Sequence, residues 1–164
     1  MSSGTVHLRA SLVLAAGFSV GALISQDARL LECTLGALTG IMLSPDLDVD
    51  AKNISSTIIK KKIGWLGVRI WDFFWKGYRT SFKHGQFASH FPVFGTFVRL
   101  SYAYFLTIFI PHTLIYFLFS PAWSLMYVSL WYAKLFLSPL FFYGLASSDT
   151  VHYFLDIFIT EHKT

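Results

Sequence analysis

The segment SPDLDVD, residues 44–50, places three aspartates at alternate positions directly after the apolar run LGALTGIML. Carboxylates at this density repel one another unless solvent, protons or a cation hold them together. If the segment is extended, alternate aspartates point to one side, and Pro45 favours a break from the preceding helix. The segment is not an EF-hand loop, because it lacks the glycine at loop position 6 and the glutamate at position 12. Asp46, Asp48 and Asp50 are therefore candidate ligands of another kind of metal site.

A second polar row lies in SSDTVHYFLD, residues 147–156. Asp149, His152 and Asp156 are spaced i, i+3 and i+7, so a helix presents all three on one face. An otherwise apolar helix has little reason to carry such a row unless the row points inward. Three histidines complete the set of candidates: His7, His84 and His90.

These residue types predict a site for divalent metal ions. Imidazole with carboxylate is the usual ligand set of zinc, manganese or iron, whereas carboxylates alone suit magnesium or calcium. The nine candidates exceed the three or four protein ligands of a single zinc ion and would suffice for two or three ions, zinc or manganese first. As metal ligands we predict His7, Asp46, Asp48, His84, His90, His152 and Asp156.

The chemistry that such a cluster favours is phosphoester hydrolysis, because paired metal ions activate water and hold a phosphoryl group. Asp50 and Asp149 are the candidates for a general base or for orienting the ligands. Arg79 and Lys83 would hold the anionic substrate.

Each segment also has a simpler interpretation by itself. The aspartates of 46–50 can form a turn or a helix cap, His84 and His90 can be loop residues, and the row at 149–156 can be a hydrogen-bonded network. Together on one membrane face they favour a metal site. That site either performs catalysis or only ties helix ends together in a non-enzymatic membrane protein.

The elements that must position these residues are strongly apolar. Of the 164 residues, 54% are hydrophobic, 18% are aromatic and only 13% are charged, and the mean hydropathy is +0.54. Soluble domains carry about a quarter charged residues, so the composition indicates a membrane protein. We predict an all-α membrane bundle with apolar spans at 10–26, 30–45, 100–119 and 122–145. The first two spans are short, so they form either a tight membrane hairpin or two shallowly inserted helices.

The section 51–99 between the second and third spans is basic, with nine lysines and arginines against Asp72 alone. The positive-inside rule places this section, and with it the metal site, on the cytoplasmic side of the inner membrane. Residues 64–78, GWLGVRIWDFFWKGY, predict an amphipathic helix with Arg69, Asp72, Lys76 and Arg79 in one stripe. This helix either lies among lipid headgroups or packs on the bundle with one solvated edge. The expected partner is a bilayer with anionic phospholipid, and no specific nucleic acid is expected.

The ordered set of motifs resembles an uncharacterised family of bacterial membrane proteins described as metal-binding. The motifs are SGTVH (3–7), SPDLDVD (44–50), GWLGVRIWDFFWKGY (64–78), HGQFASHFP (84–92) and SSDTVHYFLD (147–156). More distantly, the chain resembles the LexA-regulated inner-membrane metal-dependent hydrolases. The resemblance implies one membrane-embedded metal-binding domain over residues 1–164. Gly85 and Leu8 stand where that family commonly has arginine and aspartate, which weakens the catalytic prediction more than the metal prediction.

Overall fold

The computed structural model describes residues 4–48, 53–82, 91–119 and 138–161. Within these ranges the protein is helical and contains no strand, as predicted. The helices are α1 (Gly4–Ser25), α2 (Leu30–Met42), α3 (Ile54–Ile63), α4 (Trp65–Ser81), α5 (Pro92–Tyr104), α6 (Ile110–Phe119) and α7 (Pro139–Glu161). A 3₁₀ turn, Pro45–Asp48, follows α2, and a π-helical segment, Phe105–Phe109, joins α5 to α6.

The first two apolar stretches form a helical hairpin. Asp27 closes it by accepting hydrogen bonds from the backbone N–H and the guanidinium of Arg29, at 3.0 and 2.9 Å. Helix α1 begins six residues before the predicted span, so that His7 lies inside the helix rather than ahead of it.

Three segments are long and apolar enough to cross a membrane: Gly4–Ser25, Leu30–Asp48 and Pro92–Phe109. This composition indicates a membrane protein, while the number of spans stays a prediction. The third predicted span, 100–119, is helical, but the helical stretch begins earlier, at Pro92. Most of the fourth predicted span, residues 122–137, lies outside the described residues, and 139–145 form the start of α7.

Helices α2 and α7 cross at very short range, and this crossing positions the site. A Cβ added to Gly36 would lie 2.1 Å from the carbonyl oxygen of Phe141, and one added to Gly144 would lie 2.0 Å from that of Cys33. Only glycine permits such backbone contact, which is how apolar helices pack closely. The crossing brings the middle of α7 beside the C-terminal end of α2, where the 3₁₀ turn begins.

Helix α4 packs on α5 through aromatic side chains. Trp75 and Tyr78 are fully buried and lie 5.4 and 5.6 Å from the ring of Tyr102, between ring centroids. The hydroxyl of Tyr102 donates to the carbonyl of Phe74 at 2.8 Å. The predicted amphipathic helix is therefore present, and one of its faces packs on the bundle.

Hydrogen bonds between side chains and backbone groups hold the 3₁₀ turn and the helices that flank it. Ser55 donates a hydrogen bond of 2.8 Å to the carbonyl of Met42 at the end of α2. Asn53 caps α3 by accepting from the backbone N–H of Ser56 at 2.8 Å. Arg79 of α4 donates to the carbonyl of Leu47 at 3.0 Å. These bonds tie α3 to the end of α2 and tie α4 to the turn that carries Asp46 and Asp48.

Candidate metal centre

Three elements that are distant in sequence meet at one polar cluster, which we call the histidine cluster: His7, Asp46, His152 and Asp156. His7 comes from the start of α1, Asp46 from the 3₁₀ turn, and His152 and Asp156 from successive turns of α7. Both imidazoles are buried, with exposed fractions of 6% and 5%. Since 152 and 156 are spaced i, i+4, the helix places both on one face.

The two imidazoles are stacked and share one carboxylate. Their ring centroids are 3.6 Å apart with an interplanar angle of 15°. The Nε2 atoms of His7 and His152 lie 3.2 Å from Oδ1 and Oδ2 of Asp156, respectively. Oδ1 of Asp46 lies 3.4 Å from Nε2 of His152. Ligand atoms of His7, His152 and Asp156 all lie within 4.8 Å of one another.

The spacing of these atoms is compatible with ligands of one metal ion. With metal–ligand bonds of about 2.0–2.1 Å, two ligand atoms of a tetrahedral site are about 3.3 Å apart. The two imidazole–Asp156 separations of 3.2 Å and the Asp46–His152 separation of 3.4 Å lie near that value, and the two imidazoles face different oxygens of Asp156. Oδ1 of Asp46 and Nε2 of His152 are both buried, and their polar neighbours are members of the same cluster. The histidine cluster offers two imidazoles and two carboxylates, which is a set of ligands that zinc and manganese take.

In the absence of metal, the electrostatics of the cluster favour a bound proton. Burial disfavours the charged imidazole of His152, but Asp156 and Asp46 more than offset it and raise the pKa of His152 to about 9. The metal-free site is thus cationic at His152 near neutral pH, and a metal ion must displace this proton when it binds.

Asp149 is held differently from the rest of the row on α7. Its carboxylate accepts hydrogen bonds from the guanidinium of Arg99 and the hydroxyl of Thr96, both from α5. All three side chains are 1% exposed or less. We call Arg99, Thr96 and Asp149 the arginine cluster. It lies one helical turn from His152, and Asp149 also lines the cleft beside that histidine.

Of the remaining predicted site residues, two lie within the described ranges and four lie outside them. Asp48 is buried, at 8% exposure, but does not belong to the group of ligand atoms around His7, His152 and Asp156. Arg79, predicted to bind substrate, pairs with Asp72 at 2.9 Å and donates to the carbonyl of Leu47, and its role toward a substrate stays a prediction. Four predicted residues lie outside the described ranges: Asp50, Lys83, His84 and His90.

Sequence reasoning missed two features of this region. It counted Arg99 among the cytoplasmic basic residues, although its apolar neighbours in FVRLSYAYF were a signal of burial. It also missed the hydroxyl pair of Ser11 and Ser148, which lies between α1 and α7 with an oxygen separation of 2.7 Å. Both serines line the cleft beside His7, and the hydroxyl of Ser44 is buried there without a hydrogen-bond partner in the described structure. Single serines in apolar helices carry no sequence signal of their own.

Comparison with known proteins identifies the family. Residues 2–164 match the family model described as "Uncharacterized metal-binding protein (DUF2227)", so the chain belongs to this family. The predicted metal-binding family is thereby confirmed, whereas the more distant relation to LexA-regulated hydrolases stays a prediction. No curated protein and no solved structure matches the chain.

Proposed function

From membership of this metal-binding family and the geometry of the histidine cluster, we propose that the protein binds a divalent ion through His7, His152 and Asp156, with Asp46 as a further ligand. The observation that carries the proposal is the stacked histidine pair whose Nε2 atoms face the two oxygens of one carboxylate. Zinc is the first candidate, since two imidazoles and a carboxylate are a ligand set of catalytic zinc sites. Manganese is the second candidate.

We further propose that the site hydrolyses a phosphoester, such as a phospholipid headgroup. A bound ion supplies Lewis acidity and lowers the pKa of a water molecule. Asp149 lines the same cleft, and Arg99 and Thr96 hold its carboxylate in one orientation. Its second oxygen, Oδ1, has no hydrogen-bond partner in the described structure, and in this proposal it accepts a proton from the water. The hydroxyl of Ser44, also without a hydrogen-bond partner in the described structure, supplies a hydrogen-bond donor in the cleft.

A structural metal site is the second candidate function, and the origin of the ligands favours it. His7 and Asp156 are 149 positions apart in the chain, so an ion between them ties the start of α1 to the middle of α7. In that case the ion stabilises the bundle as structural zinc does, and no hydrolysis follows.

Metal content tests the first step of the proposal. Elemental analysis of the purified full-length protein should find at least one equivalent of zinc or manganese per chain. His152→Ala and Asp46→Ala should lose it. The matched control is Ser147→Ala on the same helix, because Ser147 is only half-buried and its hydroxyl bonds within α7 to the carbonyl of Tyr143. A folded wild type that takes up no metal after reconstitution would contradict the proposal.

Asp149→Asn then separates hydrolysis from a structural role. This variant keeps the shape of the side chain but cannot accept a proton, and it also removes the charge that pairs with Arg99, so its folded fraction is measured by circular dichroism beside its activity. If the enzyme proposal is correct, it should retain its metal and lose about 10²–10⁴-fold in the hydrolysis of an activated phosphodiester or of phospholipid vesicles. If metal-loaded wild type hydrolyses neither substrate while metal removal lowers its thermal stability, the ion is structural.

A further inference from the structure

The outward face of α4 carries an apolar strip. Leu66, Ile70 and Phe73 are spaced i, i+4 and i+7 and fall within about 60° of the helix circumference. Their exposed fractions are 57%, 60% and 80%. The strip cannot turn inward, because the opposite face of the same helix is already buried through Trp75 and Tyr78. It continues at the end of α3 with Ile63, which is 70% exposed.

One edge of this strip is basic. Arg69 and Lys76 are exposed and lie on the same side of the strip, about 40–60° from its border on the helical wheel. The guanidinium of Arg69 also lies over the ring of Trp65, 5.2 Å from its centroid. Three further exposed lysines, Lys60, Lys61 and Lys62, precede the strip on α3.

No exposed acid balances this charge within residues 53–82. Asp72 is the one acidic residue in that range, and Arg79 holds it at 2.9 Å as a partly buried ion pair. The charged groups that α4 exposes are therefore all cationic, and they border the apolar strip.

We propose that this surface of α4 lies in the headgroup zone of an anionic bilayer, with the apolar strip at the acyl boundary and Arg69 and Lys76 on lipid phosphates. An interfacial helix needs both parts, an apolar face and a basic edge. A nucleic acid would accept the basic edge but leave Ile70 and Phe73 in water, so the bilayer is the better match. This inference concerns a surface away from the metal centre and does not depend on the proposed function.

The depth of two side chains tests the orientation. Spin labels are attached to Phe73→Cys and Lys76→Cys in the full-length protein, with the buried Cys33 left in place. The protein is reconstituted in vesicles of phosphatidylcholine and phosphatidylglycerol. The label at 73 should collide mainly with oxygen dissolved in the acyl region, and the label at 76 mainly with a water-soluble nickel chelate. Strong and equal collisions with nickel at both positions would overturn the proposal.

Lipid selectivity tests the basic edge. A fluorophore at Phe73→Cys is quenched by brominated phosphatidylglycerol or brominated phosphatidylcholine, and the two are compared. Contact with one basic residue should favour the anionic lipid by roughly fivefold. Arg69→Gln with Lys76→Gln should remove the preference. The control pair Arg9→Gln with Arg29→Gln removes the same charge from exposed positions on α1 and the hairpin turn and should retain it.

Two results would contradict the selectivity. One result is that the wild type shows no preference for the anionic lipid, or that both variant pairs lose this preference equally. The other is salt-dependent binding of DNA that disappears with Arg69→Gln and Lys76→Gln while the lipid preference is absent, which would assign the surface to nucleic acid.

Discussion

The arginine cluster and the histidine cluster lie one helical turn apart on α7, and they balance their carboxylates in different ways. Asp149 is paired with Arg99, whose guanidinium stays charged at every accessible pH. Asp46 and Asp156 instead surround the imidazole of His152, which carries a proton in the absence of metal. The buried carboxylate of Asp149 therefore has a permanent cation, whereas the partly buried carboxylates of Asp46 and Asp156 have an exchangeable one. Only the second arrangement can take up a metal ion in place of a proton.

Arg99→Met should have the largest effect on the metal-free protein. Removing the guanidinium leaves Asp149 buried without its cation, which costs about 3–5 kcal/mol of stability for a buried ion pair. The measurement is unfolding in detergent followed by circular dichroism, compared with wild type.

The double variant Arg99→Met with Asp149→Asn is the control for this experiment. It removes both charges, so it should recover most of the lost stability. A single variant that is destabilised by less than about 1 kcal/mol, the value for exposed ion pairs, would show that Arg99 does not carry the pairing assigned to it.

Metal addition should affect the histidine cluster alone. At a free zinc concentration near 1,000 times the dissociation constant, binding stabilises the folded protein by about 4 kcal/mol. Thermal unfolding should therefore shift upward for the wild type and stay unchanged for His152→Ala. Thr96→Val, which alters the arginine cluster, should retain the shift. An equal response of His152→Ala and wild type would place the metal elsewhere.

Over one pH window the stability of the metal-free protein should fall while its affinity for the metal ion rises. The pKa of His152 is about 9 in the folded protein, above the value of about 6.5 for an exposed imidazole. Its contribution to the stability of the metal-free protein is therefore fully present below pH 6.5 and is lost as the pH rises through 9. Metal affinity should rise over the same window, because the ion no longer competes with the proton.

Isothermal titration with zinc at a series of pH values, beside thermal unfolding of the metal-free protein, checks both slopes. His152→Gln is the matched variant, since it removes the titrating group while keeping a polar side chain. If metal-free wild type is no less stable at pH 9.5 than at pH 6.5, the imidazole does not hold the proton assigned to it.

The row on α7 shows how far the sequence predicts this site. Helical periodicity suffices to place Asp149, His152 and Asp156 on one face, and the structure confirms that they share it. In the structure Asp149 contacts α5, whereas His152 and Asp156 contact α1. Periodicity cannot predict this difference, because it depends on which helices pack against α7. A count of charges in the section 51–99 likewise cannot show that Arg79 and Arg99 pair with Asp72 and Asp149, because those pairs depend on tertiary packing.

The smallest expected effect concerns the hydroxyl pair beside the two clusters. Ser11 and Ser148 hydrogen-bond across α1 and α7 at 2.7 Å, and both are buried. Ser11→Ala should cost about 1 kcal/mol, the net value of one buried hydrogen bond, because Ser148 loses that partner. Zinc affinity should change little, since neither hydroxyl is a ligand in the proposed site. A titration of Ser11→Ala beside wild type checks this. If affinity instead falls as much as in Asp46→Ala, the serine pair belongs to the metal site, and the division between the clusters would have to be redrawn.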